Sequence, residues 1–474
     1  MKNIYRLLIF IGLTSPVASS AQQLFKPSPN IIATLPDWAQ AMYAENPNVN
    51  AVDSLYNAYF STHPYVKTAH TEYYRIWRHS IEKYIGADGF IHEPTPQELI
   101  AEWNREKHTH SASRSTSSWN LVGPKVVFDE TATRVGEQTN VYSITQCAAH
   151  PNWMYCGTEP GEVYRSTNGG TLWSLVSAND PMNGGITAIA VDPIDSLTCY
   201  VGSGSFIFKT SDGGATWNPV LSNANLGPNE ILVHPTNTQT ILVAATKGFF
   251  KSTNGGLSWT QVFTDACYDV KLRPGANNMV YLLKNNPVAI KCEFFLSSDT
   301  GTTFAIQNSG WYNSTDPMRS DAGARLAVSP DNANRVYAYL IGNSKANDYD
   351  FIGVYRSDDG GVTWTLPNGP DGGPYSDQHP NLAYGSASWT YDQGFYNCAI
   401  MADPNNADAI LIGGLNLWRS DDGGLSFDSV AGYIGGPMNI HVDQQDFRNG
   451  VNGTWITNDG GIYFSNDFFR TDEQ

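Results

Sequence analysis

Two patterns of hydrophobic and polar positions divide the chain. Within residues 51–85, aromatic and aliphatic side chains such as Tyr73 and Trp77 recur at spacings of three and four, which is the periodicity of an amphipathic helix. We therefore expect a small α-helical segment over residues 22–110. A polar, Ser/Thr-rich linker is expected at 111–118, and after it the chain changes to short β runs separated by glycine-rich turns.

One eight-residue turn motif separates these β runs. Its first copy reads Ser166-Thr-Asn-Gly-Gly-Thr-Leu-Trp173. Well-formed copies begin at Ser166, Thr210, Ser252, Ser297, Ser357 and Ser420, and a degenerate copy begins at Ser465. Most copies lie 42 to 45 residues apart, and a period in the forties with about four short strands per unit is typical of propeller blades. The sequence predicts an all-β, seven-bladed propeller over residues 119–474.

Each part of the motif has a physical role. The Asx side chain accepts hydrogen bonds from backbone N–H groups of its own turn, and the glycines allow positive φ. The final unit ends just after its motif, and the segment beginning at Trp119 resembles the strand that follows a motif elsewhere. We expect this segment to complete the seventh blade, because a ring closed from both ends has no exposed edge.

The start of the chain is typical of an exported protein. Lys2 and Arg6 precede a short apolar run, and small residues follow it, so residues 1–21 are predicted to be a signal peptide. We expect a secreted, extracellular or cell-surface protein without a transmembrane span. Six cysteines permit disulfides in that setting. Their spacing favours a disulfide between Cys147 and Cys156. Six cysteines allow 15 pairings, however, and the sequence does not choose among them.

Charge excludes one class of partner. The 474 residues carry 28 Lys and Arg against 45 Asp and Glu, a net charge of −17. Nucleic acids and anionic membranes are bound through dense positive charge, so neither is expected as the main partner.

The long insertions all fall on one predicted face. If the strands of a blade are lettered a to d from the channel outward, the extra length lies in the d–a and b–c loops, whereas the motif turns lie on the opposite face. Loops on a rigid scaffold often carry binding and chemistry. These loops supply candidate ligand-binding side chains, most of them aromatic. An equally good interpretation is that the aromatic rings only cover the end of the propeller and bind nothing. The candidates are Trp311, Tyr312, His379, Trp389, Tyr391 and Tyr396.

A second candidate group lies in the seventh unit. The alternation of a strand places His441, Asp443 and Gln445 on one side of the predicted innermost strand. Glu159 and Asp459, in b–c loops, reach the same face. We take Asp443, Asp459 and Glu159 as candidate catalytic carboxylates and His441 and Gln445 as ligand-binding residues. A structural hydrogen-bond network explains the group equally well.

The array resembles known families. The motif is similar to the Asp-box, or bacterial neuraminidase, repeat, and the segments 393–396, 413–420 and 458–463 resemble sortilin-type propellers of secreted Bacteroidetes proteins. The resemblance implies that the motif aspartates are structural and that type IX secretion is an export route. Sialidases carry an arginine triad that is not found here, so no sialidase activity is expected. In the family the position of Gln445 is usually His, which weakens a metal interpretation.

These observations favour a secreted, monomeric binding module for an extracellular glycan or protein, with no cofactor. The alternative is a glycoside hydrolase that uses paired carboxylates on the same face. A calcium site among these acids is a third interpretation.

Overall fold

A computed structural model describes residues 32–66, 68–113, 127–128, 134–135, 140–289, 291–313, 321–342, 351–367, 381–383 and 396–471. The predicted signal peptide and the segment at Trp119 lie outside these ranges. No helix in the described ranges is long and apolar enough to cross a membrane.

The expected helical segment is present at the N-terminal end. It contains α1 Asp37–Met42, α2 Val49–Thr62, α3 Ala69–Ser80, a 3-10 turn Glu82–Tyr84 and α4 Pro96–Ser113. Thr68 caps α3 through reciprocal hydrogen bonds with Thr71. α4 continues three residues into the segment that was expected to be linker.

Within the described residues, the β part contains a two-stranded sheet and seven larger sheets. The small sheet is β1 Val127–Phe128 with β2 Arg134–Val135. Blade 1 has β3 Val141–Gln146, β4 Met154–Thr158, β5 Val163–Ser166 and β6 Ser174–Leu175. Blade 2 has β7 Ile186–Val191, β8 Cys199–Ser203, β9 Phe206–Thr210 and β10 Asn218–Ser222. Blade 3 has β11 Pro228–Val233, β12 Ile241–Ala245, β13 Gly248–Ser252 and β14 Thr260–Phe263.

The remaining blades follow in sequence order. Blade 4 has β15 Cys267–Arg273, β16 Ala276–Asn286, β17 Lys291–Ser297 and β18 Ala305–Ile306. Blade 5 has β19 Asp321–Ser329, β20 Asn332–Gly342 and β21 Phe351–Ser357. Blade 6 has β22 Ala399–Asp403, β23 Asn406–Gly413, β24 Leu417–Ser420 and β25 Asp428–Ala431. Blade 7 has β26 Gln444–Asn449, β27 Thr454–Asn458 and β28 Gly461–Ser465.

The seven sheets form a closed ring. Each innermost strand lies against the innermost strand of the next blade, and β26 of blade 7 lies against β3 of blade 1. The predicted all-β, seven-bladed propeller is therefore confirmed. The described part of blade 7 has three strands, and the proposed closing strand at Trp119 stays a prediction.

The motif turns have the hydrogen bonds that the sequence predicts. In blade 6, Ser420 Oγ donates to Asp422 Oδ1 at 2.8 Å and accepts from Gly424 N at 2.9 Å. Asp422 Oδ1 also accepts from Ser426 N at 3.0 Å. The same contact between the first residue and the Asx side chain occurs in the turns that begin at Ser166, Thr210, Ser252, Ser297, Ser357 and Ser465.

A cation before the motif joins most turns to the next blade. Arg165 donates to Gly213 O at 2.5 Å, and Lys209 donates to Gly255 O at 2.9 Å. Lys251, Arg356 and Arg419 make the equivalent contact with the turn of the following blade. Because these donors are charged, their hydrogen bonds are stronger than neutral ones. The ring is therefore held together on the motif face by contacts between consecutive turns.

The helical segment is attached to the side of blade 2. Leu99 and Trp103 of α4 belong to the same apolar core as Phe208, and Trp103 Nε1 donates to Pro181 O at 2.8 Å. Lys107 pairs with the buried Asp180 at 2.5 Å. α4 therefore extends the core of the propeller outward at blade 2.

The expected disulfide is wrong, since all six cysteines are buried free thiols. Cys147 N donates to Trp153 O, whereas Cys156 is paired in register with Ile144. Cys147 and Cys156 therefore lie at different levels of the sheet. Cys147 Sγ instead donates to Asp192 O at 3.3 Å.

Candidate functional site

A group of polar side chains lies on the face opposite the motif turns. Glu159 and Asp459 occupy the b–c turns of blades 1 and 7, and Tyr396 precedes the innermost strand of blade 6. His441 and Asp443 lie in the loop that enters blade 7. Gln445, on β26, joins the same group. The structure therefore brings together six of the residues predicted from the sequence.

The local structure at Asp443 differs from the prediction. β26 begins at Gln444, so His441 and Asp443 lie in the preceding loop and not on an alternating strand. Asp443 has a φ of 65°, in the left-handed region, and its N–H donates to Leu415 O at 3.2 Å. The buried Gln444 holds this turn by donating from Nε2 to His441 O at 2.6 Å. A strand-period argument fails here because the backbone turns just before the strand.

Two amide side chains connect the carboxylates of Asp443 and Asp459. Asn397, which is fully buried, donates from Nδ2 to Asp443 Oδ1 at 2.6 Å. Gln445 Nε2 donates to Asn397 Oδ1 at 3.1 Å and to Asp459 Oδ1 at 3.3 Å. We call Asn397, Asp443, Gln445 and Asp459 the polar cluster. Asn397 gave no signal in the sequence, since it lies in a loop without periodicity.

Two tyrosines border the polar cluster. Tyr396 OH donates to Asp459 Oδ1 at 3.4 Å, and Tyr142 OH donates to Tyr396 OH at 3.1 Å. Their rings meet edge to face with centroids 5.8 Å apart. Burial, the largest cause, raises the pKa of both phenols above the usual range, so both hydroxyls stay protonated and act as donors.

Glu159 lies at the exposed rim of this group. Asn140 Nδ2 donates to Glu159 Oε2 at 2.6 Å. Glu159 also adds negative charge near Asp459. It is thus more open to solvent than the two aspartates.

The environment favours the neutral form of Asp459. Burial, followed by the negative charges of Asp443 and Glu159, raises the pKa of Asp459 to about 6. Burial also raises the pKa of Asp443, although the hydrogen bond from Asn397 opposes this. Neither aspartate forms an ion pair with a lysine or arginine of the described chain. The pair can therefore hold one proton more readily than two isolated aspartates.

His441 lies beside the polar cluster but does not bridge it. Its Nδ1 lies 3.0 Å from Val442 O, within its own loop. Its backbone N–H donates to Tyr463 OH at 3.2 Å. His441 therefore contributes to the shape of the loop, and its charge would lower the pKa of both aspartates.

The prediction of exposed ligand-binding rings is wrong for two of the candidates. Trp311 and Tyr312 are 4% and 2% exposed, because the start of their insertion folds into the core between blades 4 and 5. Trp311 Nε1 donates to Cys292 O at 2.8 Å, and Tyr312 OH accepts from Cys292 N at 2.7 Å. The other candidates His379, Trp389 and Tyr391 lie outside the described residues.

One exposed ring near the polar cluster was not selected from the sequence. Tyr433 is 56% exposed, and the charges of Asp443 and Asp459 help burial to raise its pKa. It lies in the loop between blades 6 and 7, just after β25. An aromatic face close to hydrogen-bonding groups is a common feature of ligand sites.

Metal ligands do not group together in the described part of the chain. No set of three or more His, Cys, Asp or Glu side chains there is arranged to hold a metal ion. The calcium interpretation stays a prediction.

Comparison with solved structures supports the fold. An ancestral GH74 enzyme is similar with a TM-score of 0.52 and 18% identity, covering 74% of this chain and 46% of that one. A GH74 enzyme of Niastella koreensis has a TM-score of 0.48 and 19% identity, with coverages of 70% and 53%. The extracellular domain of a two-component-system protein of B. thetaiotaomicron has a TM-score of 0.48 and 11% identity, with coverages of 72% and 39%.

The likeness to the ancestral GH74 enzyme shows a shared fold. The chain spans about half the length of the two GH74 structures that it matches. No protein-family model and no curated protein matches the sequence.

Asp459→Asn tests the electrostatics of the polar cluster. A carboxyl whose pKa is raised in the folded state contributes stability at low pH that is lost as pH rises through about 6. Asn stays neutral, so the variant should exceed wild type in unfolding free energy by about 1 kcal/mol at pH 8, after allowance for partial exposure. The difference should vanish near pH 4. Urea unfolding at several pH values measures it.

The matched control is Asp428→Asn, at an exposed position at the start of β25. It should leave the pH dependence unchanged. Equal pH profiles for wild type and Asp459→Asn would contradict the raised pKa.

Proposed function

We propose that this chain is a secreted propeller of the Asp-box type that binds an extracellular glycan or protein at the polar cluster. The observation that carries the proposal is the pattern of unused acceptor atoms. The hydrogen bonds of Asp443 and Asp459 within the described chain go to Oδ1 alone. The carboxylate of Glu159 accepts from Asn140 and also interacts with the hydroxyl of Tyr142.

One oxygen of each aspartate is thus left for an external donor. Sugar hydroxyls and peptide N–H groups are donors of this kind. Because the three acids have no cation partner in the described chain, a ligand that donates hydrogen bonds also reduces their mutual repulsion. The nearby Tyr433 adds an exposed apolar ring. We propose that the protein works as a monomer, since one chain supplies all of these groups.

A printed array of glycans and peptides, probed with the labelled full chain, tests the proposal. Asp443→Asn and Asp459→Asn should each weaken the bound signal about tenfold or more, because a charged acceptor is lost from a partly buried site. Asp428→Asn is the control and should bind like wild type. Undiminished binding by both cluster variants would remove the polar cluster from the binding surface.

One observation favours a second function, glycoside hydrolysis. The pKa of Asp459 is raised to about 6, which suits a general acid. Burial also raises the pKa of Asp443, and the hydrogen bond that Asn397 donates to it opposes that rise. Two neighbouring carboxylates, one of which is held protonated at mildly acidic pH, are the parts of a hydrolytic pair. In this scheme Asp459 protonates the leaving oxygen, and Asp443 acts as base or nucleophile.

Hydrolysis is tested by release of reducing ends from a panel of plant and bacterial polysaccharides near pH 5.5. Wild type should release sugar, and Asp459→Asn and Asp443→Asn should each lower kcat by about a hundredfold or more. No release from any polysaccharide by wild type, while binding persists on the array, would leave the binding module as the function.

A further inference from the structure

The innermost strands carry a second polar arrangement, inside the channel. β11, β15, β19 and β26 each have a bulge near their start. In two of these strands an acid follows the bulge and a basic residue stands two positions later. These pairs are Asp269 with Lys271 and Asp446 with Arg448. In blade 3 the pair is Glu230 with Leu232, and in blade 5 it is Gly323 with Arg325.

The acids of the channel are fully paired. Arg448 donates to both oxygens of Glu230, at 2.8 and 2.9 Å, and its Nε donates to Asp446 Oδ2 at 3.0 Å. Lys271 Nζ lies 3.0 Å from Asp269 Oδ1 and 3.3 Å from Glu230 Oε2. These contacts join blades 3, 4 and 7 across the channel.

Among the described residues, the channel cation Arg325 has no carboxylate partner, since blade 5 has Gly323 where blades 3, 4 and 7 have an acid. Its Nη1 donates to Tyr268 O at 2.8 Å and to Ala324 O at 3.2 Å. Its Nε and Nη2 have no hydrogen-bond partner among the described residues. These two atoms form one edge of the guanidinium, the edge that matches a carboxylate.

A cavity of about 160 Å³ lies beside Arg325. Its wall includes Arg325, Lys271 and the acids of the channel, together with apolar side chains such as Ile400 and Phe447. At ~30 Å³ per water, the space holds about five waters or one small organic anion. The thiol of Cys398 also lines it and stays neutral, since burial raises its pKa to about 12.

We propose that this channel cavity binds a small monocarboxylate, whose two oxygens accept from Nε and Nη2 of Arg325 while Lys271 offers its remaining N–H. The three acids of the channel disfavour a dianion such as phosphate through like-charge repulsion. The apolar part of the wall contacts the remainder of the ligand. Gln445 of the polar cluster also lines this cavity, but the proposed ligand contacts come from Arg325 and Lys271, so the proposal does not depend on the function proposed at the polar cluster.

Saturation-transfer NMR with sodium acetate tests this site on the full chain, with ionic strength held constant by sodium chloride. The acetate methyl signal should titrate with a Kd between about 0.1 and 10 mM. Acetamide, the neutral analogue, and phosphate should bind at least about tenfold more weakly. Arg325→Gln should raise the Kd for acetate about tenfold or more, because the paired donors are lost.

Arg105→Gln is the matched control, since Arg105 is 75% exposed in α4, and it should leave the Kd unchanged. If Arg325→Gln does not fold, Arg325→Lys keeps the charge and should still weaken acetate about fivefold. Three results would overturn the proposal. They are a lack of acetate binding up to about 50 mM, equal binding of acetamide and acetate, and an unchanged Kd for acetate in a folded Arg325 variant.

Discussion

The contact of β26 with β3 closes the ring, and the rest of the structure depends on the forces that hold β26 in place. Arg448 on this strand reaches across the channel to Glu230 of blade 3, and Asp446 accepts from the backbone N–H of Ile144 in blade 1. A buried charge without its partner is expensive, so these contacts strongly favour one register of the final blade. Gln445, the residue before Asp446, is placed by the same register and connects Asp459 to Asn397.

The two faces of the ring use charge in different ways. On the motif face, carboxylates and amides are satisfied inside their own turns, and cations such as Lys209 link one turn to the next. On the opposite face, Asp443 and Asp459 are half-buried beside amides and phenols and lack a cation in the described chain. Such acids lower stability at neutral pH. Polar groups held at a cost in stability on a rigid scaffold are typical of functional surfaces.

Much of the fold could be predicted from the sequence, because its turn motif is local. The hydrogen bonds of Ser420 and Asp422 stay within their own eight-residue turn. The motif can therefore be recognised in each blade without knowledge of the tertiary structure. The loops could not be predicted in the same way. Trp311 is buried because of its partners in blades 4 and 5, and Asp443 lies in a turn held by Leu415 of another blade. These contacts join residues far apart in sequence, and no periodic pattern reports them.

Two further signals were present in the sequence but become clear only with the structure. The cation that precedes the motif, as in Arg165-Ser166 and Lys209-Thr210, marks the contact between consecutive blades. The pairs Asp269 with Lys271 and Asp446 with Arg448 mark the channel. Asn397 had no such signal, since its role depends on a loop conformation.

A double-mutant cycle on Glu230→Gln and Arg448→Met, measured by urea unfolding at pH 7, tests the ring-closing constraint most directly. Each single variant should lose about 3 kcal/mol of unfolding free energy, because it leaves a buried charge without its partner. The double variant should lose clearly less than the sum, with a coupling of about 1–3 kcal/mol. Strictly additive losses, or single variants as stable as wild type, would contradict the role of this pair in closing the ring.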